Sequence, residues 1–321
     1  MPRFSAIALM AASLAGFAFA ENLAFLSDAP EDPEHSAIIY GANEMFKDLE
    51  LRYKKDFKVK NITPKKDITP EAQAAALIKA EKDGCIGALV IPSAGDDSAL
   101  KKAVSQLRAK KFFVATLRRD LPDSGRILFI SSDSKKIIEA LKREFIVPYS
   151  KSNIESLCIF HTEGEQFFND PALAESFEKR YNKDVLDYIK QRTRVVPAGA
   201  TYYSKFAGEF KHNINVLDSY GIVFFDASPL LDMSPIPPDT DRFFSVSLDI
   251  RPHIGYFLAN RQITLAIGDD YFGFGYISAQ RLIEARLDGA LPQNDRISLP
   301  PIIYTPEKIE QFGADWLKFM Q

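Results

Sequence analysis

From residue 22 onward the chain alternates short apolar runs with longer amphipathic stretches, and this rhythm limits the fold more than any single motif. Residues 22–27 read as a strand. After a loop, Ile38, Ile39, Ala42, Met45, Phe46 and Leu49 recur at helical spacing and form one apolar stripe. Residues 57–62 alternate as a strand. Thr69-Pro70-Glu71 then opens a helix, with Thr as N-cap, Pro at the first helical position and Glu at the positive end of the dipole. Gly84 stops it, 86–91 predicts a buried strand, 97–110 a helix and 111–116 a strand. The rhythm restarts after Asp133. Helices are expected at 135–147, 171–191, 203–219, near 253–260 and at 272–288, and strands at 154–160, 193–198, 221–225, 243–248, 263–268 and 300–304. Thr305-Pro306-Glu307 opens a last helix. Strands alternating with helices imply parallel sheets flanked by helices, and two such runs imply an α/β protein with two Rossmann-like lobes. Periodicity alone leaves open how often the chain crosses between them.

The N-terminus reads as a secretory signal peptide over residues 1–20. Arg3 supplies the positive region, residues 6–19 are apolar, and Ala18-Phe19-Ala20 precedes Glu21 as a cleavage site. Cleavage is expected after Ala20, with release to the periplasm. No cysteine stands at the cleavage site, so a lipoprotein is not expected. No later segment approaches the roughly 18 apolar residues of a membrane span. The roughly 300 residues that remain suit one large or two ordinary domains. Charge is nearly balanced, 40 basic against 43 acidic residues, and spread along the chain, which argues against nucleic acid as a partner. Cys85 and Cys158 both lie in or beside strand-like runs, as a disulfide or as two buried thiols. With four scattered histidines and no Cys/His cluster, neither a metal site nor a cofactor is expected.

The segment from Phe113 to Asp133 concentrates the chemistry. An apolar run ends in Arg118-Arg119-Asp120, the turn signal Pro122-Asp123-Ser124-Gly125 follows, and a second apolar run reaches Ile130. Open α/β sheets meet ligands at the carboxyl ends of their strands, which places the paired arginines well. This stretch resembles the D-x-D-x-P-D-S-x-R…I-G-T-D-N segment of type I periplasmic sugar-binding proteins, the ribose-binding family. Val246-Ser247-Leu248-Asp249-Ile250-Arg251-Pro252 is similar to that family's V-G-F-D-A-x-P. Asp269-Asp270-Tyr271-Phe272-Gly273-Phe274-Gly275-Tyr276 is similar to its Q-[ND]-P-Y-x-x-G-Y. In order and spacing the resemblance spans essentially the whole chain after the signal peptide. It implies three crossovers, near Asp133, Asp269 and Pro300. One lobe would comprise 21–132 plus 270–299 and the other 133–269 plus 300–321.

Carried across position by position, the resemblance nominates a ligand site. Asp32 falls at a polar sugar contact, or else only caps the next helix. Glu34 and His35 replace an aromatic pair that sandwiches a sugar ring, offering charge and hydrogen bonds instead of apolar faces. Arg119 matches a family arginine whose planar fork holds hydroxyls or a carboxylate. Arg118 stands where the family has an acid; it faces the ligand, or pairs with Asp120 or Asp123 and faces water. Asp133 matches the hinge acid, as a contact or as a brace of the crossover. Asp249 matches an acid that accepts sugar hydroxyls, Asp226 lies near a further contact, and Asp269 replaces a neutral amide. Asn169 and Asp170 occupy the place of an arginine contact. Phe167, Phe168, Phe225 and Phe272 offer a stacking face or ordinary core.

The implied function is the solute-binding protein of an ABC importer. It would be a monomer that captures a small polar ligand (sugar or sugar derivative) by hinge closure and hands it to a membrane permease. The charged residues at the carried-over positions suggest a ligand carrying charge, a sugar acid, amino sugar or other polar metabolite rather than a plain neutral hexose. The alternative output is a periplasmic sensor subunit for a chemoreceptor or histidine kinase. The chain has no G-x-S-x-G, H-E-x-x-H or phosphate-loop motif, so an enzyme is not expected.

Overall fold

The structure, a computed structural model, describes residues 21–29, 34–141, 143–144, 156–160, 200–203, 220–224, 243–247, 252–261 and 263–312. Residues 1–20, the helix expected at 171–191, the strand expected at 193–198, and Asp32, Asn169, Asp170, Asp226, Asp249, Phe167, Phe168 and Phe225 lie outside them.

Two six-stranded sheets organise the chain. The first contains β1 (Glu21–Leu26), β2 (Phe57–Asn61), β3 (Cys85–Val90), β4 (Phe113–Leu117), β5 (Leu128–Ser132) and β11 (Arg296–Leu299), in the order β11-β5-β4-β3-β1-β2 and parallel throughout. The second contains β6 (Ser156–Phe160), β7 (Ala200–Tyr203), β8 (Tyr220–Phe224), β9 (Phe243–Ser247), β10 (Leu265–Gly268) and β12 (Ile302–Tyr304), in the order β12-β10-β9-β8-β6-β7. It is parallel except for β12, which runs antiparallel to β10. The described helices are α1 (Glu34–Tyr53), α2 (Pro70–Lys82), α3 (Ser98–Ala109), α4 (Ser134–Leu141), α5 (Pro252–Ala259), α6 (Tyr271–Leu287) and α7 (Pro306–Phe312). The chain leaves the first sheet after β5 and returns after β10, where α6 packs on the first sheet. It leaves again between β11 and β12.

Two expectations change. Tyr203, placed at the start of a helix, is the last residue of β7 and pairs with Phe160. The strand expected at 300–304 is β12, shortened to its last three residues, and an unexpected strand of the other sheet, β11, ends just before it at Leu299. Pro300 and Pro301 stand between them and, lacking N–H donors, cannot continue a ladder.

Both sheets reverse strand order beside their first strand, at β1 between β3 and β2 and at β6 between β8 and β7. Such switch points open a crevice at the strands' carboxyl ends. In the first sheet β1 is buried on both faces, as a central parallel strand must be. Leu23 and Phe25 join the core under α1 and α6, while Ala24 and Leu26 join the core under α2 and α3. Cys85 is buried in the second of these cores and unpaired, so the disulfide alternative fails. Burial pushes its thiol pKa up, leaving it an unreactive small hydrophobe.

Helices α1 and α6 touch backbone to backbone. A Cβ on Gly41 would lie 2.1 Å from the Phe272 carbonyl oxygen, and one on Gly275 1.8 Å from that of Ile38. The G-x-G in α6 therefore serves helix packing. Gly275→Ala is expected to lower stability by about 1–3 kcal/mol or more through overpacking, read as a fall in guanidinium chloride midpoint.

Candidate functional site

The loops after β1, β3, β4, β5 and β10 bring polar side chains to one end of the first sheet. The β1 and β3 loops are joined from beneath by Gln73, a fully buried residue of α2. Its Nε2 donates to the Ser27 and Ile91 carbonyls, both at 2.9 Å, and its Oε1 accepts from the Ser93 N–H at 2.9 Å. A buried amide is affordable only when its donors and acceptor are satisfied, and here they pin the two sides of the switch point together.

Arg118 lies at the centre. It follows β4 directly and takes the left-handed conformation, φ 62°, unusual for a residue with a side chain. Its N–H donates to the Ile130 carbonyl at 2.9 Å, so the β4–β5 ladder runs on through the turn. Its Nη1 lies 3.2 Å from Oε2 of Glu34, which opens α1, and its Nε lies 3.9 Å from Oδ2 of Asp269, just after β10. Tyr271, at the start of α6, places its ring 5.5 Å from the guanidinium and its hydroxyl donates to Glu34. The Arg118 side chain is 16% exposed and that of Glu34 8%. Burial opposes the Arg118 charge, but Tyr271, Glu34, Asp269 and Asp28 outweigh it, and its pKa rises well above that of an ordinary arginine. Burial, and then Glu34 and Asp269, likewise hold Tyr271 as a neutral phenol despite the opposing Arg118 charge. Removing one member of such a buried pair leaves its partner uncompensated, at a cost of ~3–5 kcal/mol.

Asp120 does not pair with Arg118. It accepts from Arg126 and Arg296, tying the β4–β5 connection to the edge strand β11. Arg118 pairs instead with Glu34 and Asp269, both distant in sequence, and is largely buried.

The other nominated residues divide. Arg119 donates from Nη1 to the Ser93 carbonyl, at the end of β3. His35 is buried with Nδ1 3.0 Å from Oγ of Ser27, Nε2 3.8 Å from Oδ1 of Asp28, and its ring edge-on to Phe25. Asp133 caps α4, accepting from the Lys135 and Lys136 N–H groups at 3.1 and 3.3 Å, while its own N–H donates to the Leu299 carbonyl at 2.7 Å. Asp269 accepts from the Ser132 hydroxyl, so one carboxylate touches the first crossover, the second crossover and the arginine. Phe272 packs against Tyr40 and Tyr276 between α1 and α6. Glu34, Arg118 and Asp269 are thus brought together. Asp32, Asp226 and Asp249 lie outside the described residues.

Gln73, Ser132 and Tyr271 escaped the sequence reading. Gln73 carried a signal as the polar member of an otherwise apolar stripe with Ala74, Leu77 and Ala80, and Tyr271 stood inside the Asp269–Tyr276 stretch without being singled out. Among the described residues, no three His, Cys, Asp or Glu side chains could hold a metal ion.

Comparison with solved structures decides the architecture. A periplasmic ribose ABC transporter protein from Conexibacter woesei superimposes with a TM-score of 0.60 over 95% of this chain and 99% of its own, at 17% identity. A carbohydrate transporter protein from Acidothermus cellulolyticus, in complex with myo-inositol, gives 0.61 over 94% and 100%, at 13% identity. The chain has the type I periplasmic binding protein fold. A putative LacI transcriptional regulator from Bacteroides fragilis matches as well, at 0.61 over 92% and 100% with 11% identity. No protein-family model matches the sequence, and no curated protein does.

In this type I fold the second crossover carries two adjacent acids with different tasks. Asp270 caps α6, its Oδ1 accepting from the Gly273 N–H at 2.7 Å, and a Cβ on Gly273 would collide with the carboxylate. Burial raises the Asp270 pKa, the Gly273 hydrogen bond opposes this, and the neighbouring Asp269 adds to it. A carboxyl raised on folding stabilises fully below its unfolded pKa of about 3.9 and loses that contribution as pH rises through the folded value. Asp270→Asn, which keeps the cap without the charge, should therefore be more stable than the parent at pH 7, with the difference vanishing toward pH 3. Thermal melts across that range read it.

Proposed function

We propose that the chain is the periplasmic solute-binding protein of an ABC importer, secreted by cleavage after Ala20. Its two lobes, 21–132 plus 270–299 and 133–269 plus 300–321, close on a small polar, sugar-like ligand and present it to a membrane permease. The observation that carries this reading is the convergence of Glu34, Arg118 and Asp269 where the carboxyl ends of the strands meet two crossovers. A side-chain cluster touching both ligand loop and crossovers suits a protein whose work is a shift from open to closed. A ribose ABC transporter protein and a carbohydrate transporter protein in complex with myo-inositol share the fold, which supports a polyhydroxylated ligand. Capture needs no bond to be broken, so the reading is of a receptor and not an enzyme.

The test is mass spectrometry of small molecules released from protein purified from its native periplasm, followed by re-addition of the compound. Expected results are a saturable fall in radius of gyration by X-ray scattering and recovery of the compound unchanged. No bound compound and no compaction with any sugar tested, or chemical conversion of the compound, would overturn the proposal.

A further inference from the structure

We infer that Glu34 is a specificity-determining residue that closes the site to anionic ligands. This rests on the receptor reading above for the location of the ligand, but not for the electrostatics. An arginine at the end of a strand in a cleft is ordinarily a fork for a carboxylate or phosphate. Arg118 is not available in that role. Glu34 stands 3.2 Å from Nη1, Asp269 stands 3.9 Å from Nε, and the Tyr271 ring lies against the guanidinium. Asp28 adds a further negative charge to the same field. Arg119, the other cation of the loop, donates to the Ser93 carbonyl.

A ligand anion approaching Arg118 would have to share it with Glu34 or displace it. Sharing sets like charges together in a poorly solvated place. Displacement takes the Arg118 guanidinium away from a carboxylate of 8% exposure. A hydroxyl meets neither penalty, since it donates to a carboxylate and accepts from a guanidinium in turn. Two carboxylates against one guanidinium therefore act as a plate of donors and acceptors whose net charge is negative. Of the charged ligands that the sequence suggests, sugar acids are the ones this arrangement rejects.

The experiment uses inorganic sulfate as the probe anion and the full mature chain, with thermal stability followed at millimolar sulfate against sodium chloride of equal ionic strength. Millimolar sulfate lies below the range in which it stabilises proteins generally by exclusion. The parent is expected to show no saturable sulfate effect. Glu34→Gln is expected to gain one, with apparent affinity at least about tenfold tighter than the parent's, the scale of one removed like-charge contact. Adding Arg118→Gln should abolish that gain. Saturable sulfate binding by the parent that Arg118→Gln removes would overturn the inference, as would a folded Glu34→Gln that gains nothing. If Glu34→Gln fails to fold, the parent's sulfate titration still decides, together with the charge of the compound released from native protein. A neutral compound supports the inference and an anionic one overturns it. The two proposals fail separately. Sulfate gained by Glu34→Gln without lobe closure on any sugar removes the receptor and keeps the gate, whereas closure on a sugar acid removes the gate and keeps the receptor.

Discussion

A guanidinium withdrawn from water requires counter-charges, and Arg118 finds them on segments far apart in the chain. Glu34 comes from the first helix and Asp269 from the second crossover, and the neutral ring of Tyr271, from the helix that returns to the first sheet, lies against the guanidinium. Because none of these is close in sequence to Arg118, the cluster forms only when β1, β4 and β10 have delivered their ends to one place. The left-handed backbone at Arg118 belongs to the same requirement. It turns the side chain out of the ladder while its N–H still bonds Ile130, and the cost of that conformation is met by the pairing it allows.

The crossovers share this economy. Asp269 touches Ser132 as well as Arg118, and Asp133 binds the Leu299 backbone, so each connecting strand holds another. Beside them, α6 begins on the Asp270 cap and is pressed against α1 at Gly41 and Gly275 with no side chain between. The helix that carries Tyr271 is thereby fixed in depth, and the ring it places against Arg118 is fixed with it. The β4–β5 loop, the crossovers and the α1–α6 pair form one connected piece of packing.

The lobed α/β architecture was legible because its signals are local. Buried strands read as short apolar runs, and the Thr69-Pro70-Glu71 start of α2 carried its own cap, which the structure shows accepting from the Ala72 N–H. β11 was invisible because, as an edge strand, it alternates between exposed and half-buried residues and has no apolar run to betray it. At the site, the residue types were readable but their partners were not. Acids and arginines that stand as opposed charges in the sequence are joined in the fold, and the bond between Glu34 and Arg118 spans 84 positions. Nothing in the periodicity of either segment encodes that distance. His35, nominated beside Glu34, stands in the first turn of α1 and packs on the end of β1 through Ser27 and Phe25, a setting that its sequence neighbours do not announce.

The central claim is that a charge-compensated Arg118, held by Glu34, faces the ligand. A crystal structure with the native ligand bound tests it most directly. The account predicts ligand hydroxyls within hydrogen-bonding distance of Arg118 or Asp269, with the Arg118–Glu34 contact intact. A ligand seated away from the ends of β1, β4 and β10, or a ligand carboxylate standing in place of Glu34 on the guanidinium, would contradict it.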